Sequence, residues 1–125
     1  IHGVHDFTSD GGGRIGAGAW RYERPASVVE ALARTAWESS PVASVTTWRS
    51  PVLLIHADDD RNVRFSQTVD LLQRLRAAGV ETEELVVVDD THHFLRYANQ
   101  LRVNQAIATY LEKKLLTRIS VDQQR

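Results

Sequence analysis

The sequence predicts an α/β fold built around a parallel sheet. Two short apolar runs, residues 51–56 and 84–88, lack alternation and end in acid-rich stretches, as strands buried on both faces do. Helical spacing follows each of them: Phe65, Val69, Leu72 and Leu75, then Val103, Ile107, Leu111 and Leu115. Strands that alternate with helices imply βαβ units and a parallel sheet.

Taken in order, Ile1-His2-Gly3-Val4 reads as the tail of a strand running into a glycine turn. The stretch 9–18, with Gly11, Gly12 and Gly13, has no hydrophobic period and reads as a loop. It lacks the Lys-Ser/Thr of a phosphate-binding loop, so a phosphate cradle is not favoured. Ser27 and Glu30 form a capping-box pattern at the start of a helix over 27–38, and Pro41 ends that segment. The strand at 51–56 runs into Asp58-Asp59-Asp60-Arg61-Asn62. The next helix covers 65–78, with Gly79 as its left-handed stop. The strand at 84–88 runs into Asp89-Asp90-Thr91-His92-His93. A long amphipathic helix over 96–116 follows, with Tyr110 joining its apolar face, and the polar tail 117–125 is expected to fray.

At 125 residues the chain is one domain's worth, and 42% hydrophobic with 25% charged residues is ordinary for a globular protein. Fifteen Lys+Arg against sixteen Asp+Glu give a formal net charge of -1, so there is no electrostatic footprint for nucleic acid or an anionic membrane. No apolar run approaches the ~20 residues of a membrane span. The absence of cysteine excludes disulfides, thiolate metal sites and cysteine nucleophiles, and leaves the compartment open. The chain begins at Ile1 and contains no Met, so we expect a fragment. A mature protein cut from a precursor is the alternative.

The chemistry gathers in the two clusters after the strands. In a parallel sheet both loops emerge on one edge, where sites form. An Asp from the first loop can then hold the imidazole of a His from the second. It would fix the tautomer and leave the other ring nitrogen free to take a proton from a nucleophile. A carboxylate oxygen should then lie within roughly 2.6–3.2 Å of a ring nitrogen. Three other readings stand beside this one: loop solvation or helix capping by the acids, a surface role for the histidines, and a metal site of oxygen and nitrogen ligands. Adjacent histidines such as His92 and His93 rarely hold one ion together, which weighs against the metal. His56 reads as a satisfied core histidine, and Trp20, Trp37 and Trp48 as packing residues.

The stretch from Pro51 through Ala57-Asp58-Asp59-Asp60-Arg61-Asn62-Val63 resembles the acid loop of the prolyl oligopeptidase family of serine peptidases, which includes dipeptidyl and acylaminoacyl peptidases. The family's His-Gly appears as His56-Ala57. Val87-Val88-Asp89-Asp90-Thr91-His92 resembles the approach to the family's catalytic His, with His93 in place of a Gly. Ile1-His2-Gly3-Val4-His5-Asp6-Phe7 and Ser39-Ser40-Pro41 resemble flanking segments. The resemblance implies an α/β-hydrolase fold, of which this chain is the C-terminal portion, with a triad in the order Ser, Asp, His. It places the acid on Asp60 and the base on His92, and by analogy gives Asn62 a part in binding the peptide end of a substrate. The alternative for Asn62 is a turn residue whose side chain makes an Asx-type bond.

No metal and no organic cofactor is implied, and the partner is a peptide substrate. None of the eight serines (9, 27, 39, 40, 44, 50, 66 and 120) sits in a Gly-x-Ser-x-Gly turn. The resemblance therefore puts the nucleophile upstream, and the chain alone is expected to be inactive. An esterase of the same fold and a non-catalytic association module remain the alternatives. Strands deprived of neighbours template pairing with other chains, so self-association, or association with the missing N-terminal part, is also expected.

Overall fold

A computed structural model describes residues 1–9 and 25–122 of the chain. The elements are α1 (Ala26–Glu38), a 3-10 helix (Pro41–Thr47), β1 (Val52–Ala57), α2 (Phe65–Ala77), β2 (Thr82–Val87) and α3 (Tyr97–Asp122). β1 and β2 pair in parallel, with Val52 opposite Thr82 and Ala57 opposite Val87. α2 is the crossover between them. Gly79, at φ 74, supplies the left-handed turn that ends α2, and Val80 N–H then closes on the Leu75 carbonyl at 3.0 Å.

Side chains alternate along β1 and so sort into two cores. On one face Leu54 packs with Val42 and Val45 of the 3-10 helix, Leu71 and Leu75 of α2, and Val80. On the other, Ile55 and Ala57 pack with Val87, Phe94 and Val103 of α3. The result is three layers, helix–sheet–helix. Ile55, Leu71 and Leu75 are among the largest fully buried side chains, each contributing roughly 1.5–3 kcal/mol by burial.

Several expectations are corrected. Residues 1–4 form no strand; one backbone bond, His2 N–H to the Ile55 carbonyl at 2.8 Å, ties them to β1. The capping box at Ser27 and Glu30 does not form. The helix starts one residue earlier, after Pro25, and the N-cap makes no side-chain bond. That puts Ser27 inside the first turn, where it cannot cap.

β2 begins at Thr82, ahead of the apolar run, because its ladder with β1 needs backbone and not apolar side chains. Neither is β2 covered on both faces: Val86 is exposed, as is Val88 just beyond the strand. α1 buries no residue at all, so it gives the sheet no cover.

The face of α2 also differs from the expected one. It buries Gln67, Thr68, Leu71 and Leu75, while Val69 is exposed. α3 outruns the two-stranded sheet, so Val103 is buried but Leu111 and Leu115 are exposed. The tail does not fray at 117, since α3 continues to Asp122. The glycine loop from residue 10 on and Trp20 lie outside the described residues. Trp48 packs on the first core as expected, and Trp37 lies against the Arg74 guanidinium at 5.7 Å. No helix among the described residues is long and apolar enough to cross a membrane.

Candidate active site

The parallel register brings the ends of β1 and β2 level, and three bonds lock their exit loops together. Asp58 N–H donates to the Val87 carbonyl at 3.2 Å, and Asp59 N–H to the Asp90 carbonyl at 3.2 Å. Asp89 N–H donates to Asp58 Oδ1 at 2.8 Å. Asp89 takes φ 55, a left-handed conformation that Asp tolerates better than most residues.

Asp60 sits behind this junction with its side chain fully buried. Its Oδ1 accepts the backbone N–H groups of Asn62 at 2.8 Å and Val63 at 2.9 Å, an Asx-type turn. Its Oδ2 lies 2.7 Å from His92 Nδ1, inside the range expected from the sequence. Burial alone would raise the Asp60 pKa. The Val63 N–H, the His92 ring and the Asn62 N–H outweigh it and hold the carboxyl below its ordinary value. Asp60 is therefore ionised at neutral pH, and the proton between the two groups resides on Nδ1. The Nε2 atom of a neutral His92 is then the basic one.

Two further residues, Asp90 and His56, fix the geometry, a part the sequence did not assign to them. Asp90 is buried and gathers the loop that carries His92. Its Oδ1 accepts Thr91 N–H at 2.8 Å and Leu95 N–H at 2.9 Å, and its Oδ2 accepts Asn99 Nδ2 at 2.7 Å. The bond from Asn99, helped by these backbone donors, lowers the Asp90 pKa. His56 is fully buried between Thr68 Oγ1, 2.5 Å from Nδ1, and the Val63 carbonyl, 3.0 Å from Nε2. Its Nε2 is also 3.1 Å from Asp60 Oδ2. It is a satisfied core histidine, as read from sequence, and it also braces the turn that holds Asp60. The only signal for either residue was its place at a strand end.

Other candidates separate from the site. Asp58 and Asp59 are exposed and do not reach the His92 ring; Asp58 ties the loops instead. His93 is exposed, its ring edge-on to that of His92 at 5.2 Å. Asn62 joins the site through its backbone.

A residue that sequence reasoning passed over stands closer. The His2 ring lies against that of His92, centroids 4.0 Å apart and tilted by 42°, and touches Phe94 at 5.2 Å. His2, Asp60 and His92 are the described residues able to share a metal ion.

The chain is similar to known proteins over most of its length. The model of the prolyl oligopeptidase family of peptidases matches residues 3–118. The chain belongs to the prolyl oligopeptidase family. Dipeptidyl-peptidase 5 of Porphyromonas gingivalis is 27% identical over 84 residues, which is 67% of this chain and 12% of that protein. Dipeptidyl-peptidase 5 of Trichophyton schoenleinii is 29% identical over 77 residues, 62% of this chain and 11% of that protein. A probable dipeptidyl-aminopeptidase B of Talaromyces marneffei is 33% identical over 67 residues, 52% of this chain and 8% of that protein. The matches to these prolyl oligopeptidase relatives thus span about a tenth of each relative's length. The parallel sheet between helices is compatible with part of the family's α/β-hydrolase domain.

Proposed function

We propose that this chain is the C-terminal part of the α/β-hydrolase domain of a serine peptidase, with Asp60 and His92 as two members of its triad. The bond of 2.7 Å between Asp60 Oδ2 and His92 Nδ1 carries the reading. In this mechanism a serine outside residues 1–125 attacks the peptide carbonyl. His92 Nε2 takes the serine proton and later delivers it to the leaving amine. Asp60 stays ionised throughout, holds the tautomer and stabilises the imidazolium. A buried, hydrogen-bonded carboxylate suits that role, because it need not reorganise when the ring becomes charged.

The substrate in this reading is a peptide, in keeping with the names of the relatives. Asn62 is exposed, with its N–H committed to Asp60, which leaves its side-chain amide for a peptide end. The exposed Val28, Leu32, Leu111 and Leu115 support the view that further chain, or a second copy, covers these helices.

The test compares this chain with a longer form that carries a nucleophile elbow. A fluorophosphonate should label the longer form and none of the eight serines here. In the longer form His92→Ala should lower kcat by about 10⁴-fold or more. Asp60→Asn should be strongly impaired through loss of the tautomer, and His93→Ala should be mild. A His92→Ala enzyme within tenfold of wild type would refute the assignment.

A further inference from the structure

His2, Asp60 and His92 each offer one ligand atom, and the three atoms lie within 4.8 Å of one another. We propose that these side chains form a binding site for a zinc-class divalent cation, which takes the place of the proton between Asp60 and His92. Two imidazole nitrogens and one carboxylate oxygen are a donor set that zinc favours, with water free to fill a fourth position.

His2 supplies the independent observation. Its Nδ1 is buried and has no hydrogen-bond partner. Such an atom destabilises the metal-free fold, and coordination would remove that penalty. Its backbone is held at φ 28, an unusual conformation for a residue other than glycine, while its N–H is fastened to the Ile55 carbonyl at 2.8 Å. Strained, fixed positions of this kind cluster at ligand sites.

The movement required is small. Bonds of about 2.0–2.2 Å place tetrahedral donors roughly 3.3 Å apart. Asp60 Oδ2 and His92 Nδ1, now at 2.7 Å, would open by about 0.6 Å, and the ligand atoms, now within 4.8 Å of one another, would draw in to roughly 3.3 Å. The His2 ring would turn out of its tilt against His92 to aim a nitrogen at the ion, and its Nδ1 has no bond to break.

Binding at His92 Nδ1 moves the ring proton to Nε2. In the peptidase reading, on which this consequence rests, that is the atom that must accept the serine proton, so the cation silences the base. The site itself does not depend on that reading.

The experiment titrates zinc alone into the 125-residue chain against a chromophoric chelator. One saturable site per chain is expected. His2→Phe keeps an aromatic ring against His92 and Phe94 but removes the ligand. It should weaken binding at least as much as the roughly 10–100-fold that loss of an outer-shell partner costs. His2→Gln serves if the Phe variant fails to fold, and His93→Ala should bind as wild type does. Long-range ¹H–¹⁵N spectra should show His92 passing from the Nδ1–H to the Nε2–H tautomer as zinc is added. Unchanged affinity in the His2 variant, an unchanged His92 tautomer, or no binding at about 1 mM zinc would each overturn the site. An inactive longer form with intact zinc binding would overturn the peptidase reading alone.

Discussion

Gln67→Leu should release the N-terminal segment from the body of the protein without unfolding the rest. Gln67 is buried on α2, and its amide clamps residues 5–9. Its Oε1 accepts His5 N–H at 3.0 Å and Asp6 N–H at 2.9 Å. Its Nε2 donates to the Asp6 carbonyl at 3.1 Å and to Ser9 Oγ at 2.7 Å. Leucine nearly preserves the volume and removes all four bonds. Each is worth roughly 0.5–1.5 kcal/mol net, so the segment loses about 2–4 kcal/mol once some groups find water. Three anchors remain: His2 N–H to Ile55, Val42 N–H to the His5 carbonyl at 3.1 Å, and Phe7 N–H to Ser40 Oγ at 2.8 Å. The opening is therefore local. Amide exchange read by NMR should accelerate at His5 and Asp6 by about 30-fold to several hundred-fold, with Leu54 and Ile55 slowed as before. Because the segment carries His2, contacts between the His2 and His92 rings should weaken too. Unchanged exchange at His5 and Asp6, or equal acceleration in β1, would refute the clamp.

Leu75→Ala, which empties a fully buried position between α2 and β1, should cost about 2–5 kcal/mol in urea unfolding. Leu32→Ala on exposed α1 should stay within about 0.5 kcal/mol. Acid should destabilise the fold in two stages, visible as thermal midpoints against pH. His2 and His5, each lowered to about 4 by burial first, bind fewer protons folded than unfolded. Their contribution is complete above the unfolded value of about 6.5 and is lost as pH falls toward 4. Asp60 and Asp90, both lowered, contribute above the usual carboxylate range and lose that contribution as pH falls through it and below. A His2→Phe and His5→Phe double variant should lose the first stage and keep the second. Glu84→Gln, which breaks the exposed pair with Arg76 Nη2 at 2.8 Å, should cost no more than about 1 kcal/mol and less in salt.

What the sequence revealed follows from which forces leave a periodic trace. Burial on both faces marked β1, and the α2 stop was visible in Gly79, where the backbone needs a left-handed residue. The two acid-and-histidine clusters were legible because both follow apolar strands and parallel pairing brings strand ends together, while the choice of Asp60 and His92 within them came from the resemblance to the prolyl oligopeptidase family. The wrong face of α2 has a definite cause. Gln67 and Thr68 are buried because they bond to the N-terminal segment and to His56, and a pattern counted in apolar residues cannot see them. His2 was invisible for another reason. Its approach to His92 joins positions ninety residues apart through a segment with no regular structure and no period. Thr82 and Glu83 were missed in β2 because the strand there is defined by its ladder alone.

α1 has no buried side chain, and that sets it apart from the rest of the molecule. A helix of thirteen residues held mainly by its own backbone obeys helix–coil statistics more than the cooperative transition of a core. Among the described residues its nucleation penalty is offset only near its C-terminal end, by the Arg74 contact with Trp37 and the Ser40 Oγ–H bond to the Ala36 carbonyl at 2.7 Å. Heat should then melt α1 gradually, residue by residue from its N-terminal end, while the two cores around β1 are still intact. Far-ultraviolet ellipticity would fall before the signal of Trp48, and a single melting temperature would describe neither process.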